Sequence, residues 1–109
     1  MLNSKLPESE LLKALLEPLL EDFNYWLERS ANLLETEEIP FLSYEDQSDL
    51  LARVKQAQQE VGAAKALFQA TGGQVAIETA ALIPWHRLLA ECWQVSARFR
   101  SLQSTPPGK

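Results

Sequence analysis

The side chains with reactive or ligating chemistry crowd into one short stretch. The chain's single histidine, His86, and single cysteine, Cys92, stand six residues apart, with Trp85, Glu91 and Trp93 beside them. A cysteine–histidine nucleophile needs the imidazole within hydrogen-bond reach of the thiol. On one helix the two side chains point about 120° apart, so this pair does not form. A bundle di-metal site needs paired Glu-x-x-His motifs, and a chain with one histidine has none. Acid–base catalysis needs convergent titratable groups, and no spacing here supplies them. No catalytic residue, metal ligand or cofactor site is therefore assigned, and the chain reads as a non-enzyme. Cys92, set in an apolar seam, is expected to behave as a small apolar residue.

Three other features invite a functional reading beside a structural one. Trp26, Trp85 and Trp93 are many tryptophans for 109 residues. Buried, they are core anchors; facing outward, they mark a docking surface with His86, since tryptophan is favoured at interfaces. Glu35, Glu37, Glu38 and Asp46 gather near the first break in helical pattern, together with Glu45 and Asp49. They serve either intramolecular charge balance or the docking of a basic partner. Pro18, Gly62 and Pro84 fall at a similar height if the segments run antiparallel. They are either independent tolerated kinks or a hinge layer.

The elements that must position these residues are helices. From Pro7 to Glu37, apolar residues recur at Leu12, Leu16, Leu19, Phe23, Trp26 and Leu33, with Ser30 in the same line. Leu15, Leu20, Leu27 and Leu34 widen the stripe to about half the circumference, enough to touch two neighbours. Pro7 suits a first helical position. Ile39-Pro40-Phe41-Leu42 breaks the pattern, and Ser43 is the expected N-cap of a second helix, with Glu45 and Asp46 in its first turn. That helix carries Leu50, Val54, Ala57, Val61, Ala64 and Phe68 and stops at Thr71-Gly72-Gly73. A third carries Trp85, Leu88, Cys92, Val95, Phe99 and Leu102, and Arg87 stands one turn from Glu91, placed to pair with it. Its start is open. It runs continuously from near Gln74, or it begins at Pro84 after a loop or short helix over 72–83. Matched lengths and short joins give an all-α, elongated up-down-up three-helix bundle over residues 7–103. Residues 1–6 form an arm and 104–109 a disordered tail.

Composition sets further bounds. Apolar residues make up 46% and charged residues 23% of the chain, ordinary globular usage for one domain. The net charge is −5 and basic tracts are lacking, which disfavours a nucleic-acid partner. No apolar run approaches the roughly 20 residues of a membrane span, and the first residues lack a signal pattern. A lone cysteine agrees with a reducing compartment, so a cytoplasmic location is expected. Residues 1–49 hold twelve acids against three bases, while residues 50–109 hold three acids against seven bases. In up-down-up order, Arg98 and Arg100 return to the acidic turn.

Leu15-Leu16-Glu17-Pro18-Leu19-Leu20-Glu21-Asp22-Phe23, followed by Tyr25-Trp26 and Arg29-Ser30, resembles a small cyanobacterial family of proteins of unknown function. Leu50-Leu51-Ala52-Arg53-Val54 and Gln56-Ala57-Gln58-Gln59-Glu60-Val61 are similar to its middle block. Pro84-Trp85-His86 and Glu91-Cys92-Trp93 are similar to its closing block. The resemblance spans roughly residues 7–100 and implies a stand-alone domain in a cyanobacterial cytoplasm. It assigns no functional residue. The function expected is thus a helical interaction or adaptor protein with a protein partner, self-association included. The alternative is a binder of a small ligand or pigment near Trp26, Trp85 and His86.

Overall fold

The computed structural model describes residues 8–72 and 79–103. These form three helices: α1 (Glu8–Thr36), α2 (Tyr44–Ala70) and α3 (Thr79–Gln103). The expected arm, tail and Pro7 start lie outside the described residues, as do Gly73 and the path through 73–78. Cross-helix pairs fix the directions. Glu21 meets Lys65 and Glu35 meets Lys55, so α2 runs antiparallel to α1. Arg53 meets Glu91 and Glu60 meets Trp85, so α3 runs antiparallel to α2 and parallel to α1. This is the up-down-up bundle, and it is elongated.

Local chemistry sets the ends. The Ser43 hydroxyl accepts the Asp46 amide at 2.9 Å, an N-cap that satisfies one of the orphan donors of α2. After Ala70, Gly72 takes φ +65°, a conformation open to glycine at little steric cost. Pro18 lies inside α1 without ending it. It removes the amide that would bond the Ala14 carbonyl, but both residues are exposed, so water can take that role. Pro84 is the sixth residue of α3 rather than its start, because the helix is already formed from Thr79. The alternative that placed the helix start at Pro84 is thereby corrected.

The core differs from the expected seam by one step on α1. Its buried line is Leu16, Leu20, Phe23, Leu27, Ser30 with Ala31, and Leu34, while Leu19 and Trp26 are exposed and Leu33 is half-buried. The Leu12 side chain is outside the description. Two neighbours on a wide apolar arc settle where its centre lies, and here α2 draws it toward Leu20 and Leu27. On α2 the expected Leu50, Val54, Ala57, Val61 and Phe68 are buried, and Ala64 is partly so. On α3, Trp85, Leu88, Leu89, Cys92 and Phe99 are buried, Val95 is partly buried, and Leu102 is exposed.

Polar bridges hold α3 to α2. Arg53 makes two guanidinium bonds to Glu91, at 3.0 and 3.1 Å, and a third to Asp49 at 3.2 Å. The expected partner of Glu91 was Arg87. A planar guanidinium on a facing helix, able to form a fork, occupies the carboxylate instead. That fork holds the Glu91 carboxyl below its ordinary range.

Candidate interaction face

The three tryptophans divide into two roles. Trp85 is buried, with 6% of its surface exposed. Its indole N–H donates to Glu60 Oε1 at 2.9 Å, and its ring meets Phe23 edge-on at 5.6 Å. A buried indole needs such an acceptor, and Glu60 on α2 supplies it. Trp26 and Trp93 are 38% and 40% exposed. They meet edge-to-face at 5.9 Å, across the junction of α1 and α3.

The aromatic contacts continue on both sides of that pair. Tyr25 meets Trp26 at 5.1 Å and the exposed His86 meets Trp93 at 6.3 Å, both nearly perpendicular. The Arg29 guanidinium stands 5.7 Å from the Tyr25 ring centre and 5.9 Å from that of Trp26. Cations over aromatic faces gain from the ring quadrupole. Toward the C-terminal ends of the two helices, the face deepens into a groove of about 560 Å³ lined by Trp26, Arg29, Leu33, Trp93, Ala97 and Arg100. In the other direction, exposed Leu15 and Leu19 lie within about 20° of Trp26 on α1, given 100° per residue. A single apolar and aromatic strip therefore runs along the two parallel helices.

The remaining candidates fall elsewhere. Glu35, Glu37 and Glu38 rim a second hollow of about 550 Å³ with Leu42 and Tyr44, while Asp46 is not part of it. Glu35 is already paired with Lys55 at 2.6 Å. Arg98 and Arg100 do return to the acidic turn, where Arg98 lies over the Phe41 ring at 4.2 Å and Arg100 lines the α1–α3 groove with Glu37. Pro18, Gly62 and Pro84 all face solvent. A Cβ added at Gly62 would meet nothing within 4 Å, so no neighbouring helix makes a close approach there.

Cys92 is buried while His86 is exposed. Burial pushes the Cys92 thiol up, with the Ser30 hydroxyl acting in the opposite direction. A thiol so held is the less nucleophilic form. Among the described residues, no group of three or more His, Cys, Asp or Glu side chains could hold a metal ion. No described helix is long and apolar enough to cross a membrane.

Two residues are new as contributors. Arg29, beside Arg100, brings positive charge to the groove, and the seven-residue step from Asp22 to Arg29 along the Trp26 line was the available signal. Gln47 is the other. Its amide donates to the Leu34 and Glu37 carbonyls at 2.9 and 2.7 Å and accepts the Ile39 amide at 3.1 Å. One side chain thus satisfies the end of α1 and fixes the turn that follows, with Ile39 buried beneath it. No short-range pattern announces a bond across thirteen residues.

A family model described as a protein of unknown function, DUF2605, matches residues 6–101. No curated protein matches the chain, and no solved structure does.

Proposed function

The chain belongs to the DUF2605 family of proteins of unknown function, and for it we propose a non-enzymatic role as a helical interaction module that docks a protein partner on its α1–α3 face. One observation carries the reading. Two tryptophans in mutual contact remain more than a third exposed, although the same fold buries Trp85 almost fully. Exposed contiguous apolar strips rimmed by polar groups mark interaction sites, and binding energy concentrates in aromatic and arginine anchors. Trp26, Trp93, Arg29 and Arg100 are such a set.

A photoreactive residue at Ala97, inside the groove, tests this in cells that make the protein. The reading expects discrete protein adducts from position 97 and none from position 59 on the exposed side of α2. Equal labelling at both positions, or none at either, overturns it.

The groove's volume supports a second reading as a binder of a small ligand or pigment. Ligand pockets measure about 300–1,000 Å³, but they enclose most of the ligand, and this groove lies open along the helices. Titration of candidate compounds with Trp26 and Trp93 emission as the readout separates the two. Saturable quenching favours the ligand reading.

A further inference from the structure

From the charge order on α1, we infer that the partner of the α1–α3 face is a second copy of this chain, docked antiparallel about a two-fold axis at the level of Trp26 and Trp93. The inference rests on the interaction reading above and names the occupant of the same face.

One helical line on α1 carries a reversible order of side chains. Leu19, Asp22, Trp26, Arg29 and Leu33 follow one another at steps of three or four residues, all within about 60° of Trp26. Each is exposed or half-buried. The order is self-complementary: leucine, acid, tryptophan, base, leucine. Reversed about Trp26, the line sets Asp22 opposite Arg29 and Arg29 opposite Asp22, while Leu19 meets Leu33 at both ends. An isologous interface has this property, since residue i contacts j and j contacts i.

The same axis serves α3. Trp93 lies 5.9 Å from Trp26, so both helices share one centre. His86 and Arg100 stand seven residues before and after Trp93, and reversal brings the imidazole ring opposite the guanidinium. Ala90 and Ala97 become approximate counterparts, small residues that let the helices approach.

Size agrees as well. Residues 16–36 of α1 and 83–103 of α3 overlap their counterparts about this axis, so the two helices present a shared face about 30 Å long and about 20 Å wide. That is about 600 Å² per copy, the lower end of the range for specific interfaces. The charges on this line are few and of both signs, so the chain's net charge of −5 is carried mostly elsewhere. Self-docking therefore does not bring two acidic surfaces together.

Charge reversal supplies a test that does not depend on disrupting the fold. Asp22 and Arg29 are both exposed, so Asp22→Arg and Arg29→Asp should each leave the far-UV circular dichroism unchanged. The wild-type chain is expected to sediment as a dimer at micromolar concentrations. Each reversed chain alone sets like charges opposite one another twice, and its dissociation constant should rise about tenfold or more. Mixed in equal amounts, the two reversed chains restore both opposite-sign pairs, so a heterodimer of wild-type affinity should form.

A mixture that stays as weak as its components overturns the antiparallel pairing. A wild-type chain that is monomeric up to high concentration overturns self-association. In that case, adducts from position 97 with another protein would leave the interaction reading standing, whereas the absence of any adduct would remove both.

Discussion

Trp85→Ala should be the most damaging single change among the aromatics, and its size can be worked from contacts. A tryptophan buries about 200 Å², which at about 25 cal/mol per Å² gives an upper figure near 5 kcal/mol. Truncations of buried aromatic residues cost about 3–5 kcal/mol. A domain of this size has a total stability of about 5–15 kcal/mol, so the variant should sit near the edge of folding. Trp85→Phe keeps the edge contact with Phe23 and loses the indole bond to Glu60. It should cost about 1–2 kcal/mol, part of it apolar area and part the bond.

A double-mutant cycle of Trp85→Phe with Glu60→Ala isolates that bond and should return a coupling of about 1 kcal/mol. Glu60→Gln keeps an acceptor and should stay within about 0.5 kcal/mol of wild type. Trp93→Ala, which removes a half-exposed ring, should cost only about 1–2 kcal/mol. Urea unfolding followed by far-UV circular dichroism measures all six variants, the double mutant included, at one fixed low protein concentration because association would shift the midpoint. The reasoning fails if Trp93→Ala destabilises as much as Trp85→Ala, or if the cycle shows no coupling.

Gln47→Ala strips partners from two carbonyls and one amide at the end of α1. It should lower stability by about 1–3 kcal/mol and speed hydrogen exchange at Ile39, read by NMR. Gly62→Ala places a methyl group in open space on an exposed helix interior. Thermal unfolding should show it stabilised by about 0.5–1 kcal/mol, and a loss of stability would point to a hinge role for the glycine after all. The Arg53–Glu91 fork should contribute about 0.3–1 kcal/mol in a double-mutant cycle, since both side chains are about half exposed and screened. Its sign with pH follows from the Glu91 carboxyl being held down by Arg53. The contribution is complete above the ordinary carboxylate range and disappears as pH falls below it. Repeating the cycle in acid should therefore return a coupling near zero.

Helix positions were legible because their signals are local. Ser43 caps and Gly72 stops within a few residues of themselves, and the α2 line from Leu50 to Phe68 needs only one periodicity. The centre of the α1 stripe was not legible. Lines through Leu19 and Trp26 or through Leu20 and Leu27 share Leu16, Phe23 and Ser30, and only the positions of α2 and α3 choose between them. That choice also decides why Trp26 is half-exposed and Trp85 is not.

Competition across helices was invisible for the same reason. Arg87 stands one turn from Glu91, yet Arg53 reaches the carboxylate from α2 with better geometry. The candidate site was legible as a set of side chains: Trp26, His86 and Trp93 do come together, and Trp85 separates from them as a core residue. Its charges were not singled out, because Arg29 and Arg100 acquire meaning only beside the two exposed rings.

The central claim is that the α1–α3 face, and no other, is covered when the protein meets its partner. Hydroxyl-radical footprinting of the associated species against the dissociated one measures this side chain by side chain. Strong protection is predicted for Trp26, Leu33 and Trp93, with no change at the already buried Trp85 and none at Leu67 and Tyr44, both on α2. Unaltered labelling of Trp26 and Trp93, or protection confined to α2, would contradict it.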